Sequence, residues 1–411
     1  MMKVGYILVV MASSTTVWGV HQPFKLGVEL LSASLFKKIT HNDSCTVALI
    51  TNQTGVNQRG EKTIDTILGL GVSVGVIFAP EHGLHGTIAA EKEVPLSVDT
   101  EKNIPVMSLY AHHMHEKQIT TALKKVDLLV FDIQDSGMRH YTYISTLFKA
   151  LHLAARINKP IIVLDRPNPL GIRMEGPLVN SISFSEIAAL PIPLRHSMTV
   201  GEIALYCNKY VLKKPIDLHV VAMQGYHRKR GLSDQFLAHL SPNIQSLQAC
   251  FGYSFLGLLG EVRPFDVGVG TDKSFQCIGL PDDLQISHQT WKRVVRYLNK
   301  AHVQAQIISY FNERKKKPYT GLRLSIADIN AVPSFMILMN ILTFFKQEGV
   351  SLSFSRAFDI AIGTKKVRNY ILGVGDKQYL AHTINEKLNV FYRQAKSVFC
   401  YKPHPTLGLV N

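Results

Sequence analysis

Carboxylates, amides, arginines and tyrosines recur where apolar runs end in this 411-residue chain. One run leads into Thr51-Asn52-Gln53-Thr54-Gly55, and a second into Pro80-Glu81-His82-Gly83. A third gives Asp132-Ile133-Gln134-Asp135, then Gly137, Arg139, Tyr141, Thr142 and Tyr143. A fourth gives Asp165-Arg166-Pro167-Asn168-Pro169. Carboxylates with such neighbours suit glycoside hydrolysis, where one acid protonates the leaving oxygen and a second group stabilises or attacks an oxocarbenium-like centre. Glu81, at a run end between Pro80 and His82, is the first candidate for the acid. Asp132, Asp135 and Asp165 are the candidate partners. A loop cap, or an ion pair to Arg139 or Arg166, is the other role open to Asp132 and Asp165.

The elements that must position these groups read as a doubly wound α/β unit. Continuous Val/Ile/Leu/Phe runs predict strands over 45–51, 72–79, 126–133, 160–165 and 216–223, of the kind buried on both faces of a parallel sheet. Helical patterns fall between them at 22–40, 61–70, 116–125, 143–158 and 199–212. In such a sheet ligands bind beyond the carboxyl ends of the strands, which is where the polar motifs sit. The second half is less regular, with helices expected at 289–303, 334–347 and 377–394 and a strand at 321–327. The polar, basic stretch 225–241 marks a boundary. The division is therefore residues 21–224 as a Rossmann-like domain and 225–411 as a smaller α/β or α+β domain completing the cleft.

Several function classes fall away. The first turn is Thr-Asn-Gln-Thr-Gly, not Gly-x-Gly-x-x-Gly, and no Walker or Gly-x-Ser-x-Gly motif occurs. Gly268-Val269-Gly270-Thr271-Asp272-Lys273 has too few glycines for a dinucleotide loop, although it can close over a ligand. His82, His85 and the cluster His112, His113 and His115 lack carboxylate or Cys partners at ligand spacing, so neither a metal nor a cofactor is expected. The five cysteines are scattered and form no Cys-x-x-Cys pair; each reads as a small buried hydrophobe. The net charge is +15, with short clusters at His227-Arg228-Lys229-Arg230 and Arg314-Lys315-Lys316-Lys317. No nucleic-acid motif accompanies them, and they read as a solvated basic surface.

Met1-Met2-Lys3, an apolar run over 4–12, a polar patch over 13–16 and Val17-Trp18-Gly19 predict a signal peptide over residues 1–20. The run is too short to span a bilayer. Export to a periplasmic or extracellular location follows, without stable membrane insertion after cleavage. An uncleaved N-terminal anchor is the competing reading.

The strand-end motifs, together with Tyr141-Thr142-Tyr143-Ile144-Ser145-Thr146, Glu175-Gly176-Pro177, Arg195-His196, Met198-Thr199, Gly201-Glu202, Ser241-Pro242-Asn243-Ile244 and Gly270-Thr271-Asp272, resemble the NamZ family of exo-β-N-acetylmuramidases. The resemblance implies a Rossmann-like domain, a smaller C-terminal domain and an active-site cleft between them. It also implies release of terminal N-acetylmuramic acid from the non-reducing ends of peptidoglycan fragments, with Glu81 of the Pro-Glu-His-Gly motif as the main catalytic acid. Within the matched motifs, Asn52, Gln53, His82, Gln134, Asp135, Tyr141, Tyr143, Asn168, Glu175, His196, Thr271 and Asp272 become candidate substrate contacts. The lactyl carboxylate of the sugar calls for a cation, and Arg139, Arg166 and Arg195 are the candidates. Tyr110, Tyr141 and Tyr143 are the candidate stacking surfaces. The family commonly has Gly-Arg-Gly-Thr where this chain has Gly268-Val269-Gly270-Thr271, and Glu-Gly-Thr-Asn near Glu261-Val262-Arg263-Pro264; Arg263 can replace the lost arginine. A non-catalytic glycan-binding protein with a degenerate site is the alternative.

Overall fold

Apolar runs without polar alternation fold here as strands covered on both sides. The computed structural model describes residues 7–10, 23–89, 92, 95–109, 116–179, 185, 187–230, 232 and 240–410. In chain order the strands are β1 (Ile7–Val10), β2 (Thr46–Thr51), β3 (Ser73–Ala79), β4 (Ser97–Asp99), β5 (Ile104–Ser108), β6 (Leu128–Asp132), β7 (Ile161–Leu164), β8 (Arg173–Glu175), β9 (Leu218–Val221), β10 (Val262–Arg263), β11 (Cys277–Pro281), β12 (Gln304–Asn312), β13 (Lys317–Ser325), β14 (Ser353–Phe354) and β15 (Thr406–Gly408). Eight of them form one sheet in the order β1-β9-β7-β6-β2-β3-β5-β4. Every neighbouring pair is parallel except β4 against β5. The expected mostly parallel sheet is therefore present. Of the expected leader over 1–20, all but β1 lies outside the described residues.

Successive side chains of a strand point to opposite faces, and both faces are buried here. Ala48, Ile50, Leu129, Phe131, Ile161 and Val163 pack on one side, whereas Val47, Leu49, Leu128, Val130, Ile162 and Leu164 pack on the other. The helices on these faces are α1 (Ala33–Thr40), α2 (Thr63–Gly69), α3 (Glu116–Lys124), α4 (Thr142–Ile157) and α5 (Val200–Tyr206). Helix α5 starts on a reciprocal cap: Glu202 N donates to Thr199 Oγ1 and Thr199 N to Glu202 Oε2. The helix expected over 22–40 is shorter than its pattern. Gly27–Leu30 makes one 3-10 turn, and α1 begins only after Ser32, whose hydroxyl caps Leu35 N.

The rest of the chain supplies α6 (Leu247–Leu259), α7 (His288–Lys300), α8 (Ser334–Gln347), α9 (Arg356–Ile362), α10 (Lys365–Ile371) and α11 (Lys377–Ala395). An antiparallel sheet β11-β13-β12 and a small ribbon β10-β14 accompany them. Their apolar side chains, among them Phe255, Trp291, Leu322 and Phe345, join the same core as Phe131, Leu147 and Ile203 of the sheet unit. Trp291 is thus a core residue, packed 5.3 Å from Phe345. Strand β15 returns to pair with β8. Among the described residues no helix is long and apolar enough to cross a membrane.

From β2 the chain moves outward to β3 and β5, then returns to β6 on the opposite side of β2 and continues to β7 and β9. The winding reverses between β2 and β6. In open α/β sheets that reversal is where a ligand crevice forms.

Candidate active site

The loop after β2 is knitted to the loop after β6 across this reversal. Thr51 Oγ1 donates to the Asp132 carbonyl at 2.9 Å, and Gln134 N donates to Thr54 Oγ1 at 2.9 Å. Asn52 Oδ1 accepts from Thr54 N and Thr54 Oγ1 at 3.0 and 2.6 Å, which closes the turn. Gly55 is required by proximity, since a Cβ there would fall 2.0 Å from Thr51 Oγ1. Asn52 and Gln53 are thereby carried to the crevice beside β3.

Glu81 follows β3 and is half-buried. Thr142 Oγ1, on the first residue of α4, donates to its Oε2 at 2.7 Å. The carboxylate therefore lies at the positive end of a four-turn helix. His82 takes a left-handed backbone (φ 71°), and its Nδ1 lies 2.7 Å from the Ile88 carbonyl. Its job is to close the loop that follows Glu81. Above this loop Tyr141 and Tyr143 sit 4.7 Å apart, both hydroxyls donating to the Leu240 carbonyl at 2.9 and 3.0 Å; Gln53 Nε2 reaches the same oxygen at 3.1 Å. Both tyrosines are buried, and their hydroxyls are satisfied.

A third tyrosine, Tyr253 on α6, packs 5.8 Å from Tyr141. Burial raises its phenol well above the usual range, and the negative fields of Asp135 and Glu81 add to the shift. Asp135 Oδ2 accepts from Gly137 N at 2.6 Å and lies 3.2 Å from His196 Nε2. Met198 N donates to His196 Nδ1, and His196 Nε2 makes no hydrogen bond among the described residues. Asp135 Oδ1 is buried with no hydrogen-bond partner among the described residues. Tyr253 was not visible in the sequence, because α6 is apolar all round and has no amphipathic period to betray it.

The other strand-end carboxylates and arginines are consumed by the scaffold. Asp132 is fully buried and paired to Arg166 through Nε at 2.5 Å and Nη2 at 2.8 Å, with the Thr63 hydroxyl also bonded. Asp165 accepts from Arg166 N, Gly201 N, Thr199 Oγ1 and Tyr401 OH at 2.6–2.9 Å. Burial nonetheless raises its pKa to about 6. Both hold the cap and ion-pair role left open above, not a reactive one. Arg139 donates to the Pro177, Ile192 and Ala361 carbonyls, and burial lowers it to about 9. Arg195 is bound by Glu175 at 2.8 Å and by the Val332, Leu170 and Ile329 carbonyls. All three guanidiniums are thus engaged by the scaffold, and Glu175 pairs with Arg195. Gln134 Nε2 bridges the Asp135 and Pro167 carbonyls, and Asn168 ties Met198 O to Leu170 N. Thr271 caps its own loop through Gly268 O and Lys273 N, and exposed Asp272 pairs with Lys273. Tyr110, His112, His113 and His115 lie outside the described residues.

Gln53, which shares the Leu240 carbonyl with two of the tyrosines, lines one cavity, and Phe275, packed on Tyr253, lines another. One, of about 810 Å³, is lined by Gln53, Asn57, Arg59, His85, Ser241 and Gln245. The other, of about 470 Å³, is lined by residues of α6, β10 and the loops after β10 and β12. Among the described residues no three His, Cys, Asp or Glu side chains gather as a metal site.

Fold and site together define a doubly wound α/β protein with a carboxylate-bearing crevice at its winding reversal. The chain belongs to the exo-beta-N-acetylmuramidase NamZ family: the N-terminal profile matches residues 47–248 and the C-terminal profile residues 251–401. It is 39% identical over 239 residues to the peptidoglycan beta-N-acetylmuramidase NamZ of Bacillus subtilis (strain 168), an alignment that spans 57% of each chain. A solved DUF1343 family protein from Bacteroides fragilis NCTC 9343 superposes with a TM-score of 0.79 at 29% identity, covering 92% of this chain and 99% of that one. A second such protein from the same organism gives a TM-score of 0.72 at 24% identity over 94% and 100% of the two chains, and so speaks to the fold alone.

Proposed function

We propose that the protein is an exo-acting glycoside hydrolase that removes terminal N-acetylmuramic acid from peptidoglycan fragments, with Glu81 as the acid. The observation that carries this is the setting of Glu81: half-buried, just past the end of β3, and oriented by Thr142 at the start of α4. Glu81 gives its proton to the glycosidic oxygen as that bond breaks, and Thr142 with the α4 N-terminus steadies the carboxylate that remains. Asp135, whose Oδ1 has no partner among the described residues, is the second carboxylate and stabilises the positive sugar centre until water adds to it, the proton that water loses restoring the carboxyl of Glu81. The cavity of about 810 Å³, rich in amides, takes the leaving sugar. Family membership and the B. subtilis relative support this substrate class. The cationic start and the apolar run over 4–12 support export to the compartment where such fragments occur.

Incubation with an N-acetylmuramyl-β-1,4-N-acetylglucosamine disaccharide tests the reading. The protein should release free N-acetylmuramic acid, and Glu81→Gln should lower the rate about 10²- to 10⁴-fold, the usual span for losing a general acid. Binding of the disaccharide without cleavage would turn the reading into that of a glycan-binding protein.

A further inference from the structure

Strand β12 is an outer edge of the three-stranded sheet β11-β13-β12, which is distinct from the sheet that Glu81 follows. Over Gln304–Asn312 it holds no charged residue and no proline, the usual devices that keep an exposed edge from pairing. The opposite edge is closed, because Asp266 and Gly279 of β11 exchange backbone hydrogen bonds at 2.9 Å. Among the described residues β12 pairs with β13 alone.

The register shows which backbone groups are open. Ala305 N donates to Asn299 Oδ1 at 3.2 Å, so it turns away from β13. In an antiparallel ladder that orientation recurs at every second residue. Ile307, Ser309 and Phe311 therefore turn their N–H and C=O outward as well. Two pairings agree. Phe311 lies opposite Pro318, which has no N–H to give. Ser309 lies opposite Thr320 with the two hydroxyls 3.4 Å apart, close as in a pair without ladder bonds.

A groove of about 650 Å³ lies beside this edge. Helix α7 supplies Gln289, Lys292, Val295 and Arg296 to it, and β12 supplies Ala305 and Ile307. Val295, Ala305 and Ile307 are half-buried and make an apolar floor. Lys292 and Arg296 are exposed and have no ion-pair partner among the described residues, whereas their neighbour Arg293 is held by Glu348 at 2.8 Å. No carboxylate lines the groove among the described residues. The net charge of +15 opposes pairing two copies of the chain here and draws an acidic partner.

We propose that this edge and groove form a docking site for an extended acidic peptide, which adds to β12 as a further strand and sets its carboxylates against Lys292 and Arg296. Backbone pairing supplies the grip, and the two cations select acidic over basic sequences. Fluorescence anisotropy of the full chain tests this with a fluorescein-labelled octapeptide of alternating Glu and Val, beside its Lys and Val counterpart. The Glu peptide should bind about tenfold or more tighter than the Lys peptide, the scale of one charge-assisted contact. Ser309→Pro deletes an outward N–H and spares the ladder to β13, a position where a strand tolerates proline. It should weaken the Glu peptide about tenfold with little change in melting temperature. Lys292→Glu/Arg296→Glu should reverse the preference between the peptides. A wild-type protein that binds both peptides equally or neither, a Ser309→Pro variant that binds as wild type does, or a charge-reversed variant with the wild-type preference overturns the site. So does light scattering that shows a dimer abolished by Ser309→Pro, since a second copy would then hold the edge.

Discussion

The carboxylates that end β6 and β7 and the one that follows β3 come from similar sequence, yet the protein treats them in opposite ways. Asp132 and Asp165 are wholly buried, and each is held by an arginine or by several donors. Glu81 is half-buried and is oriented by Thr142 at the start of a helix. An acid catalyst must exchange a proton with its substrate, so a carboxylate whose oxygens are all claimed inside the core cannot serve. Saturation by donors, not placement at a strand end, separates the scaffold from the chemistry.

That contrast can be broken by substitution. Asp132→Ala leaves Arg166 charged and buried without its partner, which typically costs about 3–5 kcal/mol. Urea unfolding should show that loss, whereas Glu81→Ala, which gives up one hydroxyl contact and a charge at a helix N-terminus, should cost about 1 kcal/mol. Equal losses at the two positions would erase the distinction.

A smaller effect sharpens it. Folded Asp165 titrates at about 6 against an ordinary 3.8, so between those values the native state keeps a proton that the unfolded chain has released. Its contribution to stability therefore falls as pH rises from 3.8 to about 6. Asp165→Asn has no such proton. The unfolding free energy of wild type relative to the variant should drop across that window. A difference that does not change with pH would mean that the burial of Asp165 carries no such cost.

The parallel sheet was legible because strands covered on both faces need unbroken apolar runs, and β2, β3, β6, β7 and β9 carry them within a few residues of their predicted limits. The second half hid more. Helix α6 has two internal glycines and no polar face, so periodicity missed it. Strand β12 is mostly partly exposed, and the turn that joins it to β13 is a run of charged residues without a glycine signal. For the site, the motifs named the right loops but could not say which polar groups pair with one another. Asp132 with Arg166, and Glu175 with Arg195, each fall on separate motifs, so only their meeting in space shows that both members are spent.

The central claim is that Glu81 delivers the proton to the departing oxygen, and leaving-group dependence tests it most directly. Turnover of wild type and Glu81→Gln is compared on β-N-acetylmuramides whose aglycones run from an acidic nitrophenol to an alkyl alcohol. Acidic aglycones depart without a proton, so the deficit of the variant should be small for them and grow steadily toward the alcohol. A deficit that is the same for every aglycone would contradict the account.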